Sequence, residues 1–229
     1  MKRALTVMLS LWMVLGGAYV PDAGASVELD ARVREAKLVL DEVMASPDQS
    51  IPEDLLRRCK AIAIYPSVLK GGFIIGARVG KGVIVRRDEK TGQWGQAAFS
   101  KIGGGSWGLQ IGAEATDLVL VIMNERGLEG LLDNNFTLGA DASIAAGPVG
   151  RSAEAGTDLS LKAAIYSYSR SRGLFGGVAL QGAVVSPDRE SNAEYYGRPA
   201  SSYDILYAEG AQLKPSNKTL SDALAQYAG

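Results

Sequence analysis

Hydrophobic and polar positions along the chain predict helices at both ends and strands between them. Over residues 27–45, apolar side chains recur at every third or fourth position, which predicts an amphipathic helix. A second, shorter helix is predicted over residues 52–60, with acidic residues in its first turn and arginines near its end. Similar patterns predict helices over residues 202–207 and 217–227.

From residue 61 onward, short apolar or alternating runs are separated by glycines and turn residues. The predicted strands are residues 61–65, 73–79, 82–87, 93–100, 107–113 and 117–123, with further strand segments near 136–146, 159–169 and 174–185. The first strand is expected to stop at Pro66. The run 117–123 is apolar after its first residue, as expected of a strand buried on both faces.

The spacing of these strands predicts the fold class. One short helix is predicted over residues 125–132 and a turn over residues 88–92, but no long helix separates the strands. The sequence therefore predicts an α+β domain in which a curved, glycine-rich, mainly antiparallel sheet or barrel has N-terminal and C-terminal helices.

Glycine is concentrated in the predicted sheet. Twelve of the 28 glycines lie between Gly71 and Gly112, many of them inside strand patterns. Because glycine weakens a strand, it indicates bulges, sharp curvature or the close approach of another backbone. A ligand lying against bare backbone is the alternative explanation. The string from Gly103 to Gly108 satisfies G-x-G-x-x-G, but a strand follows it, so it does not indicate a nucleotide site.

The first 25 residues have the pattern of a secretory signal peptide. Lys2 and Arg3 precede an apolar run, and Ala23-Gly24-Ala25 supplies the small residues of a cleavage site. The apolar run is shorter than the roughly 20 residues that span a bilayer, which argues against a retained anchor. We expect an exported chain, periplasmic or envelope-associated, with a single domain over residues 26–229. The one cysteine, Cys59, is not at the cleavage site, so we do not expect a lipoprotein.

The composition argues against most catalytic chemistry. The chain contains no histidine, which removes Ser-His-Asp and Cys-His arrangements and histidine general bases. Catalysis by carboxylates, or by Ser100 acting with Lys101, is the alternative that the composition leaves open. No motif indicates a metal or nucleotide cofactor, so we expect a non-enzymatic protein without a cofactor. Cys59 lies in an apolar pattern and is expected to be buried and inert.

Basic residues are concentrated in one stretch of the chain. Residues 57–113 contain ten Lys or Arg and two acidic residues, although the whole sequence has a net charge of −1. A segregated basic surface attracts anionic headgroups, whereas scattered cations paired by acids would not. The candidate lipid-binding cations are Lys70, Arg78, Lys81, Arg86, Arg87, Lys90 and Lys101. Leu174 and Phe175, which lie among glycines beside a cation, are candidates for membrane insertion. Nucleic acid is not an expected partner.

Several strings occur in an order that resembles the SYLF-domain family. They are AIAIYP at residues 61–66, KGGF at 70–73, WGLQIG at 107–112, GLFGGVALQGA at 173–183 and NAEYYG at 192–197. The resemblance covers about residues 38–208. It implies a non-enzymatic lipid-binding module with mixed helices and a curved sheet. The family is known for binding phosphoinositides and other lipids and, in fungi and animals, for association with actin-patch machinery.

Export changes which of these family properties we expect here. An exported chain would meet the anionic phospholipids of a cell envelope. We therefore expect the ligand to be an anionic envelope phospholipid, whose headgroup takes the place of a phosphoinositide headgroup. Eukaryotic members carry partner domains for actin regulators that have no counterpart in this sequence, and an actin link is therefore not expected. An envelope protein with a structural or protein-interaction role, and no lipid ligand, is the alternative function.

Overall fold

The computed structural model describes residues 23–45, 50–72, 75–107, 112–133, 135–149, 163–171, 174–178 and 180–228, which form six helices and nine strands. The helices are α1 (Ala23–Met44), α2 (Glu53–Arg58), α3 (Glu125–Leu132), α4 (Arg189–Tyr196), α5 (Ser202–Leu206) and α6 (Pro215–Ala228). The strands are β1 (Ala61–Gly72), β2 (Ile75–Arg87), β3 (Trp94–Trp107), β4 (Gly112–Ile122), β5 (Phe136–Thr137), β6 (Ile144–Ala146), β7 (Ile165–Ser171), β8 (Leu174–Gly177) and β9 (Val184–Pro187). The predicted α+β class is confirmed.

The strands form one curled sheet in the order β5-β9-β3-β2-β1-β4-β7-β6, and β8 pairs with β7. The pairs are antiparallel except for the parallel pair of β6 and β7. Among the described strands, β5 and β6 are the ends of this path. The sheet is therefore a half-barrel with mainly antiparallel pairing, as the strand spacing predicted.

Two hydrophobic cores pack against the sheet, one on each face. In the first core, Ile62 and Val119 pack with residues of α1, α2 and α6. In the second core, Ala63 and Leu120 pack with residues of α3 and α5. Successive residues of a strand point to opposite faces, so β1 and β4 supply both cores in alternation. The prediction that the apolar run 117–123 is buried on both faces is confirmed for Leu118–Ile122.

The strand β1 is longer than predicted because Pro66 does not end it. Around Pro66, β1 contains one more residue than the paired segments of β2 and β4. Ser67 has a positive φ of 51°, and its N–H donates to Asp117 Oδ1 at 2.9 Å. A bulge of this kind accommodates proline in a central strand. Proline has no N–H, and at a bulge the hydrogen bonding between strands does not require one. The predicted stop at Pro66 is wrong, and the proline marks a bulge instead.

Other strand boundaries also differ from the predicted ones. The strands predicted over 73–79 and 82–87 are one strand, β2, apart from residues 73 and 74, which lie outside the description. The strand predicted over 107–113 is the end of β3 and the start of β4, with residues 108–111 undescribed. Glycines within strands caused these errors, since glycine also marks turns. The later segments are strands in part, as β5 to β9.

Beyond the bulge, four strands continue past both cores. We call this part the outer half of the sheet and define it as residues 69–72, 75–81, 103–107 and 112–117. None of its described residues belongs to either core. Leu69 and Val79 are 56% and 60% exposed there, which is unusual for aliphatic side chains in the middle of a sheet.

The helix α4 was not predicted. Its sequence, RESNAEYY, has no apolar periodicity, and its buried residues are Ser191, Asn192 and Tyr195. Asn192 is wholly buried, where its Oδ1 accepts from the Phe99 N–H at 2.7 Å and its Nδ2 donates to the Phe99 carbonyl at 3.3 Å. Gly197 ends the helix with a φ of 68°. This helix holds β3 through polar contacts, which a hydrophobic pattern does not reveal.

Candidate functional site

An open cleft of about 590 Å³ lies between α1 and the outer half of the sheet. We call it the α1 cleft. The side chains that determine its chemistry are Arg32 and Glu35 of α1, Leu69 of β1, Val79 and Lys81 of β2, and Lys101 of β3. No described helix is long and apolar enough to cross a membrane.

Strand register brings the sheet residues of the cleft together. Leu69 is directly opposite Val79, and Lys81 is directly opposite Lys101. Side chains in directly opposite positions of paired strands lie on the same face, with Cβ atoms roughly 5 Å apart. Lys101 lies two residues from Phe99, whose ring is in the first core, so both lysines face α1. The sheet thus presents an apolar pair and a lysine pair side by side.

The two lysines have different electrostatic surroundings. Lys101 Nζ lies 3.0 Å from Asp188 Oδ1, and Arg32 Nη1 lies 3.7 Å from Asp188 Oδ2. Burial opposes ionisation of Asp188, but hydrogen bonds from Lys101 and Ser191 outweigh it and hold the pKa of Asp188 below its usual range. Lys81 is exposed and forms no ion pair with any described residue. Lys81 is therefore the cation of the cleft whose charge is least compensated.

The lysine pair makes the cleft receptive to an anion. Like charges directly opposite each other in a sheet are destabilising, and Asp188 compensates one of the two. Glu35, which lines the cleft, and Glu28, Glu190 and Glu194, which line a smaller neighbouring cleft that both lysines share, offset part of the remaining positive charge. A negatively charged group beside Lys81 would reduce the repulsion, while the apolar pair next to it offers a surface for hydrocarbon.

Two other predicted cations, Lys70 and Arg78, lie on the opposite face of the outer half. They are directly opposite each other in β1 and β2. Lys70 is also paired with Glu114 of β4, whose carboxylate accepts a hydrogen bond from Ser171. The sequence grouped these cations with Lys81, but alternation along the strands separates them by the thickness of the sheet.

The remaining predicted cations lie at the other end of the sheet, near the turn between β2 and β3. The Arg86 guanidinium lies 4.1 Å from the centroid of the Tyr207 ring, a cation–π contact. Arg87 has a buried Nε without a hydrogen-bond partner among the described residues. Lys90 is exposed in the turn and lines a smaller cleft of about 320 Å³ with Arg86 and Tyr207. The basic stretch of the sequence is therefore three separate groups in the structure.

Leu174 and Phe175 lie in the edge strand β8, where they pair with Ser171 and Arg170 of β7. Their side chains lie outside the described part of the chain. Their proposed insertion into a membrane stays a prediction.

The alternative of Ser100 acting with Lys101 is wrong for a geometric reason. Adjacent residues of a strand point to opposite faces. The hydroxyl of Ser100 is buried and donates to Tyr65 Oη at 3.0 Å, whereas Lys101 pairs with Asp188 on the other face. Cys59 is buried as predicted, and burial raises the pKa of its thiol to about 12, so it is not a reactive thiolate.

Sequence reasoning did not identify Arg32, Leu69 and Val79 of the α1 cleft. It also missed Asp188, which pairs with Lys101 and lines a smaller neighbouring cleft. In the sequence, Leu69 and Val79 look like ordinary strand residues. They are exposed because they lie beyond the bulge, where both cores end. Asp188 precedes a helix and accepts from the Ser191 N–H at 3.3 Å, so an N-cap signal was present in the sequence. Its pairing with Lys101 depends on tertiary contacts between distant segments.

The cleft thus combines exposed apolar groups with cations between α1 and the sheet. Residues 103–227 match the Ysc84 family model, which is described as "Las17-binding protein actin regulator". The chain belongs to this family, and the resemblance to SYLF-domain proteins is confirmed. The description names binding and regulation rather than a chemical reaction.

Curated relatives support the same assignment. The human "SH3 domain-containing YSC84-like protein 1" is 37% identical over 164 residues, which are 71% of this chain and 47% of that protein. The "LAS seventeen-binding protein 3" of Saccharomyces cerevisiae is 37% identical over 174 residues, 75% of this chain and 38% of that protein. The frog (Xenopus laevis) counterpart of the human protein is 34% identical over 188 residues, 79% of this chain and 56% of that protein. The chain thus spans about half or less of the length of most of these relatives.

Proposed function

We propose that this domain binds the anionic phospholipid of a membrane surface through the α1 cleft, without catalysing a reaction. The observation that carries the proposal is the exposed pair Leu69 and Val79 lying directly beside Lys81 and Lys101. An amphiphile needs this combination, because its chains require apolar surface and its headgroup requires cations. For an exported chain, envelope phospholipid takes the place of the phosphoinositide-like headgroups that the family is known to bind.

The free energy that the α1 cleft is expected to contribute to membrane binding indicates weak, reversible binding. Leu69 and Val79 are each about half exposed, so burying them fully would contribute about 1 kcal/mol each. A lysine near an anionic surface contributes about 1 kcal/mol, and Asp188 reduces the share of Lys101. The sum of about 3–4 kcal/mol corresponds to dissociation constants on the order of millimolar. Stable attachment would therefore need further contacts, for which Arg86, Arg87, Lys90, Leu174 and Phe175 are the candidates.

The proposal is tested by co-sedimentation of residues 26–229 with vesicles. Vesicles of phosphatidylglycerol and phosphatidylcholine are compared with vesicles of phosphatidylcholine alone. We expect stronger binding to the anionic vesicles, and we expect Lys81→Gln to weaken it about fivefold, as the loss of about 1 kcal/mol predicts. Leu69→Ser with Val79→Ser should weaken binding to both kinds of vesicle, because apolar contact does not depend on headgroup charge.

Arg126→Gln is the control, since Arg126 is an exposed cation of α3 that lines neither cleft and is not a candidate for membrane contact. If Arg126→Gln weakened binding as much as Lys81→Gln, general positive charge rather than the cleft would account for it. Equal binding of the wild type to neutral and anionic vesicles would refute the electrostatic part, and no binding to either would refute the whole proposal.

A second candidate function is favoured by the relatives: binding of another protein through the same domain. The family description and the yeast relative's name both refer to binding of Las17. We propose this function as the alternative, with an envelope protein as the partner of an exported chain. Pull-down from detergent-treated, lipid-depleted envelope extract would separate protein binding from lipid binding. A partner that the wild type and the Leu69→Ser/Val79→Ser variant retain equally would bind a surface other than the cleft.

A further inference from the structure

The cleft of about 320 Å³ at the other end of the sheet lies apart from the α1 cleft. One wall is the end of β2 with the β2–β3 turn, and the other is the segment that joins α5 to α6. We call it the turn cleft. Its lining includes the charged residues Arg86, Asp88, Lys90 and Glu209 and the apolar residues Leu206 and Leu213. This volume is at the lower end of the range for ligand sites, so it suits a small molecule.

The guanidinium of Arg86 is held in place by aromatic contacts. It lies 4.1 Å from the centroid of the Tyr207 ring. Tyr203 stacks on the same ring with a centroid distance of 4.2 Å, so it covers the opposite face. The Tyr207 hydroxyl donates to Glu125 Oε1. The ring is thus fixed by three neighbours, and it fixes the cation that lies on it.

The donors of this guanidinium are not used by the described part of the protein. The Arg86 side chain is only 16% exposed, yet no hydrogen bond joins it to a described residue. Asp88 Oδ2 lies 4.0 Å from Arg86 Nη1, which is too far for a hydrogen bond. Asp88 Oδ1 instead accepts from the N–H groups of Lys90 and Thr91 in the turn. None of the Arg86 nitrogens is both buried and unpartnered, so its donors remain accessible to a ligand.

The other charged residues of the turn cleft indicate the kind of ligand. Lys90 and Glu209 are exposed, and neither forms an ion pair with a described residue. Arg86 and Lys90 attract a carboxylate, whereas Glu209 attracts an ammonium group. With Asp88 included, two cations and two acids line the cleft, so their charges cancel. A ligand that carries one charge of each sign therefore fits better than a multiply charged anion, which the two acids would repel.

We propose that the turn cleft binds a free α-amino acid. The carboxylate of the ligand accepts paired hydrogen bonds from the Arg86 guanidinium, whose planar fork matches it. The ammonium group of the ligand donates to Glu209, and Leu206 and Leu213 supply apolar surface for its side chain. The site does not depend on lipid binding in the α1 cleft.

Thermal unfolding of residues 26–229 in the presence of each standard L-amino acid tests the site. At a concentration ten times its dissociation constant, a bound amino acid should raise the melting temperature by about 3–5 °C. Titration calorimetry then compares the amino acid that gives the largest rise with two analogues, one without the amino group and one without the carboxylate. For leucine, these analogues are 4-methylpentanoate and 3-methylbutylamine. We expect the first to bind about tenfold more weakly and the second not to bind.

Two substitutions separate the roles of the charged residues. Arg86→Lys keeps the positive charge but loses the paired donors, and it should weaken amino-acid binding about tenfold. Glu209→Gln should weaken binding of the amino acid while leaving the affinity for the carboxylate analogue unchanged, a difference that a merely structural residue would not produce. Lys81→Gln, in the α1 cleft, is the matched control and should bind the amino acid like the wild type.

The absence of a rise in melting temperature with every L-amino acid would overturn the proposal. Unchanged binding by Arg86→Lys would also overturn it, because the ligand would then lie elsewhere. Equal affinity for the amino acid and its carboxylate analogue, with no effect of Glu209→Gln, would show a site for simple carboxylates instead. Loss of the vesicle binding described above, with amino-acid binding retained, would refute the proposed function of the α1 cleft and leave this site standing.

Discussion

At the scale of single residues, glycine has different roles at positions that look alike in the sequence. A Cβ at Gly82 would lie 2.2 Å from the Ile64 carbonyl oxygen and 2.6 Å from Tyr65 Cδ1. The bulged part of β1 thus passes so close to β2 that no side chain fits there. At Gly105, by contrast, a Cβ would meet no described atom within 4 Å. The first glycine is required by close approach of backbone, and the second is not.

This difference predicts opposite effects of the same substitution. Gly82→Ala should lower the free energy of unfolding by about 1–3 kcal/mol or more, because main-chain atoms would have to move. Gly105→Ala should leave it unchanged or raise it slightly, since alanine has less conformational freedom to lose in a strand. Urea unfolding of both variants measures the two effects. Equal destabilisation by both would show that glycine content as such, rather than close approach, matters in this sheet.

At the scale of elements, α4 connects the sheet to the helices through polar side chains. Asn192 bonds the backbone of Phe99, and its Nδ2 also reaches Ser202 Oγ at 3.3 Å. The Tyr196 hydroxyl donates to the Ala97 carbonyl at 2.7 Å. The Tyr195 hydroxyl lies 2.7 Å from Ser216 Oγ at the start of α6. The family string NAEYYG therefore has a structural role here, because its conspicuous residues hold β3 and α6 together.

We expect Asn192→Ala to destabilise the domain by about 1–3 kcal/mol, since it leaves the Phe99 N–H of β3 without the Asn192 Oδ1 acceptor in a buried environment. Glu190→Ala, at an exposed position of the same helix, should change stability by about 0.5 kcal/mol or less. Thermal and urea unfolding of both variants provide the comparison. An Asn192→Ala variant as stable as Glu190→Ala would contradict the assigned role of α4.

Helices and strands whose hydrophobic residues recur at regular spacing could be predicted from the sequence. Those held in place by polar contacts could not. The helices α1 and α3 and the doubly buried part of β4 follow from apolar positions alone. The helix α4 does not, because its buried residues are mostly polar. In the candidate site, residue types identified the cations but not their faces. Only the register and the bulge at Pro66 show that Lys81 faces α1 and Arg78 does not.

At the scale of the whole molecule, the first helix completes one of the two cores. The first residue of α1 in the first core is Leu29, followed by Val33 and Ala36. The predicted cleavage after Ala25 would therefore remove part of the first helical turn but no core residue. An exported chain that begins at Ser26 keeps everything that the first core needs.

We expect the chain exported by a secreting bacterial host to begin at Ser26, as measured by intact mass and N-terminal sequencing. Residues 26–229 should unfold cooperatively, whereas a chain starting at Arg34 loses Leu29 and Val33 and should be less stable by several kcal/mol. A periplasmic product that retains the leader would show that the apolar segment is an anchor, and membrane contact would then not depend on the cleft alone.

The bulge at Pro66 also determines which parts of this domain are free to vary in evolution. Before the bulge, the residues of β1 have neighbours on both faces, so a substitution there must preserve volume and polarity. Beyond it, exposed side chains such as Leu69 and Val79 belong to neither core, and their replacement is expected to change the free energy of unfolding little. Proteins built on this plan can therefore acquire new ligand preferences on either face of the outer half while the same folded frame is inherited unchanged.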